Sequence, residues 1–275
     1  MISSVNTNTG SYSSINSFGS AQSAVNSAQK RIGTGKKVAD AYDNGAAFAV
    51  AEKLRGDTAV LGAANERLAV GKGMIDVAMK ASQFISSSMS DVKATLVKLS
   101  DSSLSERDRA NYQAQYNNQV KDIGAFVKDA KYNGVNLLQQ GAQNQNIASN
   151  GSGGTVTVQA QDLESSVASA LSGADVSTAA GAAALLQPGG TFSQAEDSVG
   201  SAMNSLASNA RSVNNTIKGN SSIMDATDTG LGEIVDADLA KEAASLSAAQ
   251  ARQQLAGQSL SIANQAPQSL LSLFQ

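Results

Sequence analysis

Cysteine, histidine and tryptophan are absent from this 275-residue chain, proline occurs twice, and aromatic residues make up 4% of it. Each absence removes some chemistry. Without His and Cys there is no Ser-His-Asp or Cys-His nucleophilic system, and no ordinary Cys/His zinc site. Without Cys there is no disulfide framework. The redox compartment is left open, and the chain can cross an oxidising space unfolded without cross-linking. Charged residues are sparse at 16%, and Lys+Arg 20 against Asp+Glu 23 gives a net charge of −3, so nothing favours a nucleic-acid partner. No apolar run approaches the roughly 20 residues that span a membrane. The opening "MISSVNTNTGSYSSINSFGS" lacks the basic and apolar regions of a cleaved secretory signal, so export by the ordinary signal-peptide route is not expected.

What is present is Ala, Ser, Asn, Gln and Gly, with Leu, Ile and Val at regular intervals. Aromatic side chains supply large buried areas, so a compact core of ordinary size is hard to build here, whereas close-packed long helices suit this composition. The expected fold is mainly α: an elongated antiparallel helical hairpin or coiled-coil rod, its N- and C-termini paired, with a small α+β insertion at the tip.

The heptad over 61–99 carries this expectation. Leu61, Leu68, Ile75, Ser82, Met89 and Leu96 share one position, and Ala64, Gly71, Ala78, Ile85, Val92 and Leu99 the other. Such a repeat predicts a left-handed supercoiled packing surface on a helix over 57–100. The segment 5–32 is more polar. Its stripes, Ile15-Gln22-Gln29 and Phe18-Val25-Ile32, make a helix that needs a partner. After "SDSSLSERD", Ser105 and Asp108 form a capping-box-like start for a helix over 106–131, with Tyr112, Tyr116, Val120, Ile123 and Val127 on one face. Asn133-Gly134 marks a turn. The alternating Thr155-Val156-Thr157-Val158 predicts a small hairpin. Ser193 with Glu196 predicts a helix start, Gly230 and Gly232 an interruption, and 237–265 a last helix carrying Leu246, Leu255, Leu260 and Ile262. The apolar tail "SLLSLFQ", with Leu270, Leu271, Leu273 and Phe274, has no obvious partner in the chain and reads as an assembly surface.

Two stretches could suggest a ligand. "GTGKK" (33–37) looks like a phosphate loop, but Lys30 stands where the first glycine is required. Lys37 stands where a hydroxyl is required, and a helix rather than a strand precedes it. A helix C-terminus fits better, with Gly33 or Gly35 left-handed and Lys36 and Lys37 near the last carbonyls. "DADLAKE" (236–242) lacks the oxygens and mid-loop glycine of a calcium loop, so Asp236 or Asp238 reads as a helix cap. No metal or cofactor site is expected.

The residues resemble bacterial flagellin at both ends. "KRIGTGKKVADAYDNGAAFAVAEKL" (30–54) follows the family's N-terminal pattern, with Asn44 replacing the second acidic residue after Asp43. "YNGVNLL" (132–138) is similar to the family's turn, and "IVDADLAKEAASLSAAQARQQLAGQSLSIANQAPQSLLSLF" (234–274) to its C-terminal region. The resemblance implies a structural subunit rather than an enzyme, exported unfolded by the flagellar type III system to an extracellular homopolymeric filament for swimming motility. It implies an export chaperone, a filament cap and hook-associated proteins as partners, and neither nucleic acid nor membrane.

By the same resemblance, 1–40 with 235–275 would pair as the inner filament core, disordered in the free monomer. Residues 41–140 with 191–234 would form the outer rod, its heptad core carried by Leu61, Leu68, Ile75, Met89 and Leu96. Residues 141–190 would be a short, variable, surface-exposed insertion. Ile15, Phe18, Val25 and Ile32 would join Leu246, Leu255, Leu260, Ile262 and the tail in inner assembly. Gly33, Gly35, Lys36, Lys37, Asp40 and Asp43 would form the joint between inner and outer layers and meet neighbouring chains. "SDVKATLVK" (90–98) replaces Arg, Glu and Leu of a stretch read by an innate immune receptor with Asp91, Ala94 and Thr95, so strong recognition there is not implied. Two other readings stay open: a hook–filament junction protein, and a cytoplasmic coiled-coil scaffold with protected termini.

Overall fold

A computed structural model describes residues 7–271, with side chains as far as Gln265; Leu273 and Phe274, and the side chains of Leu270 and Leu271, lie outside the described residues. The fold is mainly α with four short strands. In order it runs α1 (Thr9–Thr34), α2 (Gly45–Leu99), α3 (Glu106–Asp129), β1 (Lys131–Tyr132), β2 (Val135–Asn136), β3 (Gln145–Ala148), β4 (Thr155–Val158), a π-helical stretch (Glu164–Ser169) leading into α4 (Ala170–Ser172), α5 (Ala179–Leu186), α6 (Thr191–Val235) and α7 (Leu239–Leu271). No described helix is long and apolar enough to cross a membrane.

The chain divides into two compact units, one from the N-terminus to Gly56 with Asp225 to the C-terminus, the other Asp57–Met224. These limits differ from those read at residues 40 and 235.

In the terminal unit α1 and α7 pair antiparallel. Asn8 Nδ2 donates to the Ala263 carbonyl (2.6 Å), and at the other end Arg31 Nη1 meets Glu242 Oε1 (3.1 Å). Asn8 caps α1, its Oδ1 accepting from Ser11 N (3.0 Å), so one of the otherwise unpaired N–H groups of the first turn is satisfied.

In the middle unit, one hydrophobic core joins α2, α3, the hairpin β3–β4, the 163–185 segment and α6. On α2, Leu68, Ile75, Met89 and Leu96 are buried and Leu61 is half-buried; the second heptad line is buried throughout. Ser82, the polar member, turns its hydroxyl onto the Ala78 carbonyl (2.8 Å), which lets a serine occupy a fully buried seam. Arg109 of α3 donates to the carbonyls of Leu99 (2.7 Å) and Asp101 (2.8 Å) and so closes the α2 C-terminus. Ser105 caps α3, accepting from Asp108 N (3.2 Å).

The insertion is anchored by close approach. β3 pairs antiparallel with β4, Ile147 opposite Val156. Ile147 enters a notch at Gly71 of α2, where an added Cβ would lie 2.0 Å from its Cδ1. Tyr132 covers Gly73 in the same way, at 2.7 Å. Asn133 (φ 49°) and Gly134 (φ 80°) are both left-handed, the requirement of a two-residue hairpin turn.

The structure departs from the sequence reading at four helix limits. α2 begins at Gly45, not 57, because Asn44 caps it (Ala47 N to Asn44 Oδ1, 3.1 Å) and "AAFAVAEKL" is strongly helix-forming. α6 begins at Thr191, with Ser193 and Glu196 inside it; Gln194 N donates to the Gly190 carbonyl (2.9 Å), so the glycine pair before the helix sets its entry. α6 also runs unbroken through Gly230 and Gly232 to Val235. Two interior glycines each weaken a helix by roughly 1 kcal/mol, and the C-terminal contacts described below offset that. The last helix extends from Leu239 to Leu271 rather than 237–265.

Candidate functional site

The terminal unit holds two features on which assembly would turn. The first is the α1–α7 pair. Its buried side chains are small: Ala21, Val25 and Ala28 on α1, Ala249 and Ala256 on α7. Gln253 of α7 donates across the pair to Gln22, a member of the predicted α1 stripe. The large apolar residues mostly face out. Ile15 is 50% exposed, Phe18 37%, Leu255 64% and Ile262 69%, while Ile32, Leu246 and Leu260 are half-buried and, among the described residues of the predicted set, only Val25 is buried. Phe18 therefore does not share the internal seam with Val25 as its spacing suggested; alanines one turn away take that place because they let the helices approach closely. Large apolar surface is consequently left exposed on both helices, Ile15 and Phe18 on α1 and Leu255 and Ile262 on α7.

The second feature is the joint after α1. Gly35, not Gly33, is left-handed (φ 69°) and ends the helix. The chain then runs extended beside the end of α6. Lys37 N donates to the Val235 carbonyl (2.8 Å), Ala237 N donates to the Gly35 carbonyl (3.0 Å), and Lys36 bridges Asp236. Lys37 Nζ reaches the Glu233 carbonyl (2.6 Å), so its charge completes the C-terminus of α6 rather than that of α1. Val38 and Val235 are buried beneath this crossing. Asp238 Oδ1 accepts from Ala240 N (3.0 Å) and Lys241 N (3.1 Å) and opens α7.

Asp40 and Asp43 are both engaged by Lys30 of their own chain, while 45% of the Asp40 side chain stays exposed. Lys30 Nζ lies 2.7 Å from Asp40 Oδ2 and 2.8 Å from Asp43 Oδ1. Asp43 Oδ2 accepts from Ala39 N (2.9 Å), and Asp40 Oδ1 from Tyr42 N (2.9 Å) and Asp43 N (3.2 Å). The lysine hydrogen bond holds both carboxyls below the usual aspartate range, and the Asp40 bond in turn raises Lys30. Lys30 was missed as a member of this group. Its spacing of ten and thirteen from the aspartates follows no helical period, so only the turn brings them together.

The middle unit adds polar contacts that periodicity does not specify. Asn220 Nδ2 donates to Asn65 Oδ1 (2.9 Å) and to the Ser149 carbonyl (2.9 Å), which ties α6, α2 and the hairpin in one register. Tyr116 is buried and donates to the Leu171 carbonyl (2.7 Å); burial pushes its pKa up to about 12. Tyr112 is partly buried against the same core.

Residues 5–143 match the bacterial flagellin N-terminal helical region, and residues 190–274 the bacterial flagellin C-terminal helical region. The chain belongs to the bacterial flagellin family. Flagellin FljK of Caulobacter vibrioides is 31% identical over 274 residues, covering 100% of this chain and 99% of that one. A flagellin of Brucella melitensis is 31% identical over 288 residues, 100% of each. A Vibrio parahaemolyticus chain described as a flagellar hook-associated protein shares the fold (TM-score 0.58, 11% identity, 70% of this flagellin and 100% of that chain). This flagellin is therefore a structural filament subunit, and its α1–α7 pair and joint lie in the two regions that define the family.

Proposed function

We propose that this flagellin leaves the cell unfolded through the flagellar type III system and polymerises outside it, at the growing end of a swimming filament. The observation that carries the reading is the α1–α7 pair, which buries small side chains and leaves Ile15, Phe18, Leu255 and Ile262 exposed. Apolar surface of that kind on a polymer subunit is covered by further copies. Residues 1–40 with 235–275 act as the inner layer, 41–140 with 191–234 as the outer rod, and 141–190 as the outward insertion. Gly33, Gly35, Lys36, Lys37, Asp40 and Asp43 form the joint between the layers, and Leu61, Leu68, Ile75, Met89 and Leu96 the rod core. The tail residues Leu270, Leu271, Leu273 and Phe274 join the inner contacts.

The subunit does no catalysis of its own. Its partners are an export chaperone, the filament cap and hook-associated proteins, and Asp91, Ala94 and Thr95 weaken recognition by the innate immune receptor. A hook–filament junction role is the second reading, favoured by the shared fold with the Vibrio chain. The 11% identity there against 31% with whole flagellins argues for the filament. Electron microscopy of the purified chain concentrated with precipitant tests the choice: long filaments are expected, and a chain that stays monomeric or stops at short rings would overturn the reading.

A further inference from the structure

Tyr42 is 100% exposed, in a chain that spends aromatic residues sparingly. It is also held still. Its own N–H is bonded to Asp40, its neighbours Asp40 and Asp43 are bonded to each other's backbone, and Lys30 clamps both carboxylates. A tyrosine fixed on a rigid turn loses little further freedom when it binds, which is the character of an interface anchor. An open groove in the same terminal unit carries a positive charge that is unpaired among the described residues. It runs between α1 and α7, lined by Ser13, Ser17, Ser20, Ala24, Arg252 and Ala256. Its lining includes no carboxylate, and Arg252 makes no ion pair among the described residues. The turn bearing Tyr42 has two carboxylates against one lysine.

Within one chain the two features stay apart, since Ser20 lies about 21 Å along α1 from Thr34. A projection and a matching groove at different places on one molecule make a heterologous contact, which propagates into an open helix whenever the rotation does not close a ring.

We propose that the Tyr42 turn of one subunit docks in the α1–α7 groove of a second copy, the phenol ring over the serine and alanine lining and the aspartates facing Arg252. The contact deepens the filament reading above and rests on it.

The absence of cysteine makes the test clean. A41C/S20C leaves Tyr42 in place; treated with a short bis-maleimide, its filaments should yield a ladder of covalent multimers, and its dilute monomer none. Y42A should raise the critical concentration for polymerisation by about tenfold or more, Y42F by much less, and R252E should act like Y42A. Because the Tyr42 side chain is fully exposed and only its backbone N–H is bonded within the chain, the monomer circular dichroism of Y42A should match the parent. Parent filaments that form while A41C/S20C gives no ladder, or Y42A polymerising at the parent concentration, would overturn the contact and leave the filament reading standing. A parent chain that never polymerises would overturn both.

Discussion

Gly71 shows how one residue sets a contact that its heptad position disguises. By spacing it is a weak member of the α2 seam, yet an added Cβ would stand 2.0 Å from Ile147 Cδ1. Gly71→Leu should therefore drive the hairpin off the helix and lower stability by about 1–3 kcal/mol, the usual penalty for overpacking. Thermal unfolding followed by circular dichroism checks this, and Ile147→Ala in the Gly71→Leu background should recover part of the loss. Tyr116 gives a pH signature. Its folded pKa of about 12 lies above the ordinary tyrosine value of 10.0, so the neutral phenol favours the folded state. That contribution is fully present below pH 10 and disappears as pH rises through 12. Tyr116→Phe should flatten the alkaline limb of the stability profile across that window while costing about 1 kcal/mol at neutral pH from the lost bond to Leu171. With no tryptophan in the chain and five tyrosines, the difference in tyrosinate absorbance between the parent and Tyr116→Phe reports the titration of Tyr116.

At the scale of elements, the joint depends on charges that the turn gathers. Asp40 and Asp43 have lowered pKa values, so their contribution is present above the ordinary aspartate value of 3.8 and lost as pH falls through the folded value. Lys30 has a raised pKa, so its share is present below 10.5 and lost as pH rises through the folded value. Lys30→Met should accordingly speed amide hydrogen exchange at Ala39, Asp40, Tyr42 and Asp43 at neutral pH. The difference from the parent should vanish in acid, where the carboxyls are protonated in both. Equal exchange at pH 7 would mean that the backbone bonds to the aspartates hold the turn without the lysine. The helices themselves were largely legible. A strict 3.5-residue repeat needs only local chemistry, and the caps at Ser105 and Asp238 act within three residues. The Asn65–Asn220–Ser149 contact was not legible, because the partners of Asn220 lie 155 and 71 residues away in sequence.

At the scale of the whole molecule, the two units differ in what they bury. The middle unit has a continuous core of large side chains such as Leu68, Ile75, Ile123, Phe192 and Leu206. The α1–α7 pair buries alanines and one valine, and a helix pair with so little apolar area gains little over its ordering entropy. Brief protease treatment of dilute monomer should thus remove α1 and α7 and leave a resistant fragment close to Asp57–Met224, and polymerisation should protect both helices. Intact terminal helices in the dilute monomer would count against assembly as the source of their order, and would favour the scaffold reading.

Residue types and local spacing were enough for the helical class, the heptad face of α2, the hairpin, the absence of any Cys or His ligand or nucleophile, and the family. Each follows from residue type, from spacing within a few turns, or from motifs met in order along the chain. Only the tertiary structure decided that Gly35 rather than Gly33 turns the chain, that Lys37 closes α6, that Lys30 gathers Asp40 and Asp43, and that alanines rather than Phe18 fill the terminal seam. Those outcomes depend on which distant backbone ends up alongside and how closely two helices can approach, and a periodic pattern along one chain holds no record of either.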